Sequence, residues 1–259
     1  MAASSQPDLP LYQFRSFREI SGIVHGVTLR HGGVSRGSYG SLNLSLSVDD
    51  DEAAVHENKA RVAAAFRSTP EALITSRQVH GNTVVAVSTD AWPANDPPRA
   101  DALITNRPGT LLLQRFADCV PILLADRAER AIGLAHAGWR GTVQNVAGAT
   151  VAALEASYET RATELAAAIG PSIGPCCFEV DNNVAEQFRD VPGVITQGSR
   201  KLHVNLWEAN RVALVSAGLP PEAIEVAEIC TRCHSNDYFS HRALGYPAGR
   251  FGAVIGLAS

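Results

Sequence analysis

The chain has 259 residues, of which 46% are hydrophobic and 19% are charged, so it can bury a sizeable core and is not disordered by composition. Its formal net charge of −4 argues against a broad nucleic-acid-binding face. Apolar stretches fall short of the roughly 18 residues that a transmembrane helix needs, and the N-terminus lacks the pattern of a signal peptide, so we expect a soluble cytoplasmic protein with neither a nucleic-acid nor a membrane partner.

Short apolar runs of strand length alternate with a few amphipathic segments. Val55, Val62 and Phe66 lie on one helical face, and this spacing predicts a helix. In chain order, the predicted elements are a strand at 22–30, a helix at 52–67, strands at 83–88, 101–105, 110–115, 119–125 and 131–136, a helix at 142–157, a strand at 164–169, a helix at 206–217, and strands at 224–229 and 251–256.

Consecutive strands without intervening helices indicate an α+β fold of mixed sheets rather than a regularly alternating doubly wound fold. The glycine fingerprint of dinucleotide-binding folds and the P-loop signature are both absent from the sequence. We therefore expect one domain over residues 1–259, with residues 1–20 as a peripheral N-terminal segment.

Three segments place a metal-binding side chain at the end of a strand, beside small or turn-forming residues. They contain His80 in Gln-Val-His-Gly, Cys119 in Ala-Asp-Cys and His136 in His-Ala-Gly-Trp-Arg-Gly. Two imidazoles and a thiolate suit Zn²⁺, and three protein ligands would leave a fourth position open, as in catalytic zinc sites. A buried Cys119 with two hydrogen-bonded core histidines is the alternative.

The segment after His136 is a candidate anion site. A helix is predicted to begin near Gly141, with Thr142 as its N-cap and Arg140 just before it. Free N–H groups at a helix N-terminus attract anions, so phosphate or a developing oxyanion could bind within reach of His136. An ordinary capped helix with a solvated Arg140 explains the same residues equally well.

A glycine-rich loop over residues 30–45 combines flexibility with hydroxyl groups and two arginines. Such a loop could enclose a polar substrate, with Arg36 and Asn43 as its anchors. A long surface turn is the alternative interpretation of this segment.

The remaining thiols are Cys176, Cys177, Cys230 and Cys233. The Cys-x-x-Cys-His motif at 230–234 has the form of a haem attachment site, but a signal peptide and an obvious axial methionine are both missing. The motif could instead supply half of a structural zinc site. The other half would then be Cys176 and Cys177, but two adjacent cysteines rarely bind the same ion. We therefore favour packing or redox-neutral thiols.

Taken together, the motifs resemble the YfiH/DUF152 family, also called the polyphenol oxidase laccase domain or peptidoglycan editing factor family. The resemblance implies one domain of mixed β-sheets packed with helices, similar to the catalytic domain of cytotoxic necrotizing factor. It also implies a metal site at His80, Cys119 and His136, and Arg36 and Asn43 as substrate-binding candidates. The matching segments are 30–45, 57–62, 76–84, 100–105, 117–126, 135–143, 169–180, 204–211 and 230–242.

The family resemblance implies three alternative activities. We favour zinc-dependent phosphorolysis of adenosine, inosine or methylthioadenosine together with adenosine deamination, with a nucleoside and phosphate as ligands, Arg140 holding phosphate and Asp118 protonating the leaving base. Hydrolytic editing of a UDP-muramyl peptidoglycan precursor is the second activity, either with zinc or with Cys119 as nucleophile and His136 as base. The third is copper-dependent polyphenol oxidation, which the histidine content suits less well. The sequence leaves the oligomeric state open.

Overall fold

A computed structural model of the chain describes residues 9–88, 92–93, 96–198 and 201–258. Within these residues the strands are β1 (Leu11–Tyr12), β2 (Ile23–Thr28), β3 (Leu73–Ile74), β4 (Val84–Ala86), β5 (Ala102–Thr105), β6 (Leu111–Phe116), β7 (Val120–Asp126), β8 (Ile132–Ala137), β9 (Leu165–Ile169), β10 (Glu179–Val180), β11 (Ile195–Gln197), β12 (Leu202–Val204), β13 (Ile224–Val226) and β14 (Phe251–Leu257). The α-helices are α1 (Arg15–Arg18), α2 (Glu52–Ala65), α3 (Trp139–Val143), α4 (Val146–Tyr158), α5 (Asn182–Ala185), α6 (Leu206–Ser216) and α7 (His241–Leu244).

The strands form three sheets, of which the two larger are mixed, as the sequence predicts, and the third is antiparallel. A six-stranded sheet has the order β13-β9-β7-β8-β5-β4, a five-stranded sheet the order β1-β2-β14-β6-β3, and a small third sheet the order β10-β12-β11. Most neighbours are antiparallel, but β3 and β6, β4 and β5, and β9 and β13 run parallel. Strands β7, β8 and β14 are buried at every position, which explains why they are continuous apolar runs in the sequence.

The core has two main layers around the six-stranded sheet. On one face, Leu123 and Leu134 pack with Phe116 and Phe251 of the five-stranded sheet. On the other face, the apolar side of α4 and residues of α6 cover the sheet. The central strands β7 and β8 are therefore fixed on both sides, so the ends of these strands are rigid points for placing functional side chains.

The N-terminal segment is more integrated than the sequence predicts. Among residues 9–20, Phe14 and Phe17 are fully buried in the core, and β1 pairs with β2. Aromatic side chains bury a large apolar area, which explains why this segment packs against the sheet instead of lying at the periphery. Residues 1–8 of the predicted peripheral segment lie outside the described residues.

The helix predicted at 142–157 is two helices. Asn145 interrupts it in the left-handed conformation, with a φ of 58°, and its side chain caps α4 by accepting a hydrogen bond from the N–H of Gly148. The first helix begins at Trp139, so Thr142 is not an N-cap but a buried residue whose Oγ1 accepts a hydrogen bond from Asn210. Among the described residues, none of the helices has both the length and the apolar character to cross a membrane.

Candidate metal centre and its cavity

Three residues that are far apart in the sequence bring their donor atoms together at one end of the six-stranded sheet. Cys119 directly precedes β7, His136 lies in β8 opposite Pro121, and His80 lies at a bend in the loop before β4. One nitrogen of each imidazole and the Cys119 sulfur all lie within 4.8 Å of one another. We refer to these residues as the His–Cys centre, and their convergence is the geometry that a shared metal ion requires.

A buried carboxylate positions the loop that carries His80. Asp101 accepts hydrogen bonds from the main-chain N–H groups of Val79 (3.2 Å), His80 (2.8 Å) and Gly81 (2.7 Å). His80 itself has a φ of 61°, the left-handed region that side chains other than glycine rarely adopt. The three N–H bonds hold the loop in this conformation and direct the exposed imidazole towards Cys119.

The same carboxylate orients the second imidazole. Oδ1 of Asp101 lies 2.8 Å from Nδ1 of His136, and both side chains are buried. A carboxylate accepts this bond, so Nδ1 carries the proton and Nε2 is left free as a ligand, the arrangement that supports metal-bound histidines. Although burial acts to raise it, the pKa of Asp101 is held below its usual value by hydrogen bonds from His136 and the N–H groups of Gly81 and Val79.

Cys119 and His136 also form an electrostatic pair. Burial acts to raise the pKa of the Cys119 thiol, but the charges and hydrogen bonds of His136 and His80 outweigh it and lower this pKa to about 6. Burial acts to lower the pKa of His136, but Cys119 and Asp101 raise it to about 9. In the metal-free protein near pH 7, the stable form is therefore a thiolate beside an imidazolium, and the thiolate is the form that binds metals.

Gly138 lets the main chain pass directly against the His–Cys centre. A Cβ atom at this position would lie 3.0 Å from the sulfur of Cys119 and 3.0 Å from Cδ2 of His80. Gly141 is similarly constrained, because its Cβ would lie 2.9 Å from the carbonyl oxygen of Gly81. The glycines of the His-Ala-Gly-Trp-Arg-Gly segment thus serve close packing of the chain around the ligands.

The His–Cys centre opens into a cavity of about 470 Å³, a volume typical of small-molecule sites. Four arginines line the cavity, together with apolar, hydroxyl and amide side chains. The lining arginines are Arg77, Arg115, Arg242 and Arg250, and the other lining residues are Ser45, Ser47, Gln78, His80, Ala117, Asp118, Cys119, His136, Ile173, Phe178 and His241.

Two of these arginines carry the positive charge deepest into the protein. Arg115 bonds to the carbonyl of Ser76 and to Gln78, and Arg250 bonds to the carbonyls of Ala248 and Gly249. Burial, with a further contribution from Arg250, lowers the pKa of Arg115 to about 10, and burial also lowers the pKa of Arg250. Because both cations are poorly solvated, an anion entering the cavity would be bound favourably.

The other predicted site residues take different positions. Asp118 lines the cavity, and its two carboxylate oxygens accept hydrogen bonds from Oγ1 of Thr231 (2.7 Å) and the N–H of Arg242 (2.6 Å). Arg140 is exposed on the five-residue helix α3, where its guanidinium stacks on Trp139, and it does not line the cavity. The predicted helix start at Gly141 is therefore wrong, and anion binding by Arg140 stays a prediction.

The glycine-rich loop contributes little to this cavity at the two predicted positions. Asn43 is fully buried, and its amide bonds Asp50 while its carbonyl accepts the N–H of Arg250. Arg36 lines a separate surface depression with Asp50 and Asp51. Of this loop, Ser45 is the residue that reaches the cavity wall, and Asn43 acts on the site indirectly by holding the main chain of Arg250.

Sequence reasoning misses Asp101 and the cavity arginines. Asp101 stands at the start of a predicted strand, 35 residues from His136, and local spacing offers no sign that the two touch. A signal for Asp101 does exist, since an acidic residue directly before four fully buried strand positions requires polar partners. The arginines come from separate strands and loops, and only the fold brings them together.

The donor set fits one divalent ion with an open coordination position. Within the described residues, the groups of donors close enough to share an ion are the His–Cys centre and a second cluster made of cysteines alone. Two imidazoles and a thiolate match a mononuclear zinc or a blue-copper centre. Neither cluster has the several imidazoles that a trinuclear copper cluster requires.

Comparisons with known proteins show what the whole chain is similar to. A family model described as multi-copper polyphenol oxidoreductase laccase matches residues 24–258. The chain is 35% identical over 255 residues to a purine nucleoside phosphorylase of Bacteroides thetaiotaomicron, with 94% of each protein covered. It is 33% identical over 246 residues to adenosine deaminase RL5 from an unknown prokaryotic organism, covering 90% of this chain and 93% of that protein. The crystal structure of YlmD from Geobacillus stearothermophilus matches with a TM-score of 0.89 and 36% identity, covering 98% of this chain and 100% of that one.

Proposed function

Because the chain belongs to the family described as multi-copper polyphenol oxidoreductase laccase, and relatives at more than 30% identity are named purine nucleoside phosphorylase and adenosine deaminase, we propose that it is a zinc-dependent enzyme of purine nucleosides. In phosphorolysis, a purine nucleoside and phosphate give the free base and ribose 1-phosphate. In deamination, adenosine and water give inosine and ammonia.

The observation that carries this proposal is the position of the His–Cys centre in the wall of a cationic cavity. Metal-ligand geometry and an anion-attracting surface occur together there, and the cavity has the volume of a small-molecule site. A Zn²⁺ ion held by His80, Cys119 and His136 would supply Lewis-acid chemistry in its open coordination position. Zinc fits better than copper, because a blue-copper centre usually adds a weak axial ligand such as methionine, and Met1 is the single methionine of the chain.

The protein's own residues would bind the two substrates on different walls. Phosphate would lie against the guanidinium groups of Arg115 and Arg250, which are held in place by neutral partners and keep their full charge for a ligand. Phe178 and Ile173 give the cavity an apolar wall that suits a purine ring.

This assignment changes the roles expected of the remaining residues. Asp118 would shape the cavity wall rather than protonate the leaving base, because both of its carboxylate oxygens already accept hydrogen bonds from the protein. Arg36, Asn43 and Arg140 are given no substrate contact, since none of them lines the cavity. The proposal places catalysis on His80, Cys119 and His136, with Asp101 as a positioning residue.

Chromatography of the products from purified protein tests the proposal. Adenosine and phosphate should yield adenine, inosine and hypoxanthine, and the protein should contain zinc. His80→Ala should abolish all three products, whereas His56→Ala, on the exposed face of α2, should leave them unchanged. Adenosine that survives intact in the zinc-loaded protein would contradict the proposal, and stoichiometric copper with strong visible absorbance would contradict the metal assignment.

A second candidate function, amide hydrolysis, is favoured by the pairing of Cys119 with His136. Their shifted pKa values describe a thiolate beside an imidazolium, and Asp101 orients the imidazole as the third member of a cysteine hydrolase triad would. The substrate class that the family resemblance implies is a UDP-muramyl precursor carrying a serine amide. Cleavage of that amide in metal-free protein, with adenosine left intact, would establish this function instead.

A further inference from the structure

We propose that Cys176, Cys177, Cys230 and Cys233 form a second metal centre, a structural Zn²⁺ site with four thiolate ligands. All four sulfur atoms lie within 4.8 Å of one another. We refer to these residues as the four-cysteine cluster. The cluster contradicts the interpretation of these residues as separate packing thiols, because two loops that are more than 50 residues apart bring them to one point.

The sulfur spacing matches a tetrahedral zinc site. Zn–S bonds of about 2.3 Å at tetrahedral angles place neighbouring sulfurs about 3.8 Å apart. The sulfur of Cys233 lies 3.7 Å from that of Cys176 and 3.5 Å from that of Cys177. A disulfide would require about 2.0 Å, so the cysteines are spaced as ligands of one ion rather than as a bonded pair.

A tight turn explains how two adjacent cysteines, Cys176 and Cys177, can bind the same ion. The N–H groups of Cys177 and Phe178 both bond to the carbonyl of Gly174, at 2.9 and 3.0 Å, and so close a turn around Cys176. A Cβ atom at Gly174 would lie 2.7 Å from the ring of Trp207 and 3.1 Å from Cβ of Cys230. Glycine therefore allows this turn to reach the other loop, and the turn directs both sulfurs to the same side.

The second loop is held in the matching position by main-chain bonds. Ser172 and Cys230 form a parallel β-bridge, in which the N–H of Ser172 bonds to Ile229 and the N–H of Thr231 bonds to Ser172. The N–H of His234 bonds to the carbonyl of Cys230 at 2.9 Å, which curls the Cys-x-x-Cys segment into a turn. Cys-x-x-Cys turns of this kind supply two ligands in structural zinc sites.

The surroundings suit a negatively charged zinc–thiolate group. The main-chain N–H groups of Cys233 and Gly174 interact electrostatically with the sulfur of Cys230, and the guanidinium of Arg232 does so with the sulfur of Cys177. Cys177 and Cys230 are buried, whereas Cys176 and Cys233 are exposed, so an ion has a path from solvent. Four protein ligands complete a tetrahedron, which makes this a structural site rather than a catalytic one.

The four-cysteine cluster would hold one wall of the cavity in place. Arg242 bonds to the carbonyls of Cys177 and Glu179, and it lies over the ring of Phe178, so the first loop carries cavity residues. Thr231, between the cysteines of the second loop, bonds Asp118 beside Cys119. An ion joining the two loops would therefore fix the distance between the cavity wall and the His–Cys centre.

Metal analysis of the full chain, purified without a metal-binding tag, tests this proposal. We expect two zinc ions per chain in the wild type, one in the double variant Cys176→Ser/Cys233→Ser, and one in His80→Ala. Two ions retained in the double variant, iron in place of zinc, or a disulfide among these cysteines in freshly purified protein would overturn it. If instead the His–Cys centre binds no metal, the wild type keeps one ion that His80→Ala leaves and the double variant removes, so the two proposals fail separately.

A thiol titration of the wild type keeps the proposal testable if the double variant does not fold. In native protein the four cysteines should not react with a thiol reagent. A strong chelator that removes the zinc should make all four react together. Cobalt substitution should give intense thiolate-to-cobalt absorption that His80→Ala retains. Immediate reaction of Cys176 and Cys233, with no effect of the chelator, would overturn the proposal.

Discussion

The protein builds two clusters of metal-binding side chains, and they differ in donors, surroundings and access. The His–Cys centre has three mixed donors at the ends of buried strands and faces a cavity of about 470 Å³. The four-cysteine cluster has sulfur donors alone and joins two loops. Three ligands leave a position for chemistry and four do not, so the number of donors separates a reactive centre from a structural one.

The second difference concerns what holds the donors in place. In the His–Cys centre, one buried carboxylate, Asp101, bonds both the loop of His80 and the ring of His136. In the four-cysteine cluster, main-chain turns and a β-bridge hold the donors in place. No carboxylate bonds one of these ligands among the described contacts. Substitutions around the His–Cys centre should therefore change metal affinity and activity while leaving the four-cysteine cluster unaffected.

Among the substitutions that keep every metal ligand, Gly138→Ala is expected to have the largest effect on kcat/KM. The new Cβ would lie 3.0 Å from the sulfur of Cys119 and from Cδ2 of His80, so at least one ligand must move. Displacement of catalytic groups by 1 Å can cost about 100-fold in rate, and for a displacement of a few tenths of an ångström we expect a loss of about tenfold in kcat/KM. Gly81→Ala is the matched control, because its Cβ would meet only ordinary contacts at 3.6 and 3.8 Å. Equal activities of the two variants would contradict the predicted crowding at Gly138.

Asp101→Asn should lower the metal affinity of the His–Cys centre by about 10- to 100-fold. An amide cannot accept from Nδ1–H of His136 and from every loop N–H at once, so either the imidazole tautomer or the His80 loop is disturbed. Competition with a chelator of known affinity measures the change, and the zinc of the four-cysteine cluster should be retained. Asp181→Asn, at an exposed position, is the control, and an unchanged affinity in Asp101→Asn would remove the positioning role.

The sequence predicts most of the framework, because buried strands leave a strong apolar pattern. The elements at 119–125, 131–136 and 164–169 agree with β7, β8 and β9 within two residues, and the family resemblance is confirmed. The three-stranded sheet is missed, since β10, β11 and β12 are too short to show a periodicity. The break at Asn145 is missed because Val143 before it and Val146, Val151 and Leu154 after it have the spacing of one continuous apolar face. Similarity to the cytotoxic necrotizing factor domain stays a prediction.

A site residue can be predicted from the sequence when its type and its immediate neighbours already indicate metal binding. His80, Cys119 and His136 are found because each stands beside glycine or a turn at a strand end. The four-cysteine cluster is underestimated because adjacency in the sequence suggests that Cys176 and Cys177 diverge, whereas the turn at Gly174 makes them converge. The sequence does not show whether a polar side chain is buried or exposed. Asn43, a predicted substrate-binding residue, is fully buried in the structure.

Thr231→Val tests the connection between the two clusters and should destabilise the protein by about 1–3 kcal/mol. Thr231 is fully buried, and its hydroxyl donates to Oδ1 of Asp118 at 2.7 Å, so valine leaves that oxygen without this donor. Urea unfolding of the metal-loaded protein measures the change, and KM should rise several-fold while both metals are retained. Thr231→Ser keeps the hydroxyl and should stay close to wild type. If the Thr231→Val variant is as stable as the Thr231→Ser variant, the hydrogen bond to Asp118 does not stabilise the protein.

The smallest expected effect separates the thiols of the two clusters in metal-free protein. His136 and His80 outweigh burial and lower the pKa of Cys119 to about 6, whereas burial and the neighbouring thiols raise the pKa of Cys176 above its usual value. The reactive thiolate forms as the pH rises through the pKa, so alkylation of Cys119 should increase around pH 6 and level off near neutrality. Alkylation of Cys176 should still be increasing at pH 9, although Cys176 is the more exposed residue.

At pH 7 the Cys119 thiol should be about 90% ionised, whereas the Cys176 thiol, with its raised pKa, should stay protonated. A thiolate of low pKa is intrinsically the weaker nucleophile, which reduces the expected preference for alkylation of Cys119 but does not reverse it. Peptide mass spectrometry after brief iodoacetamide treatment measures both sites in one sample. His136→Ala should move the Cys119 transition to higher pH and leave Cys176 unchanged. Faster labelling of Cys176 than of Cys119 at pH 7 would show that exposure, rather than the imidazole partners, sets thiol reactivity in this protein.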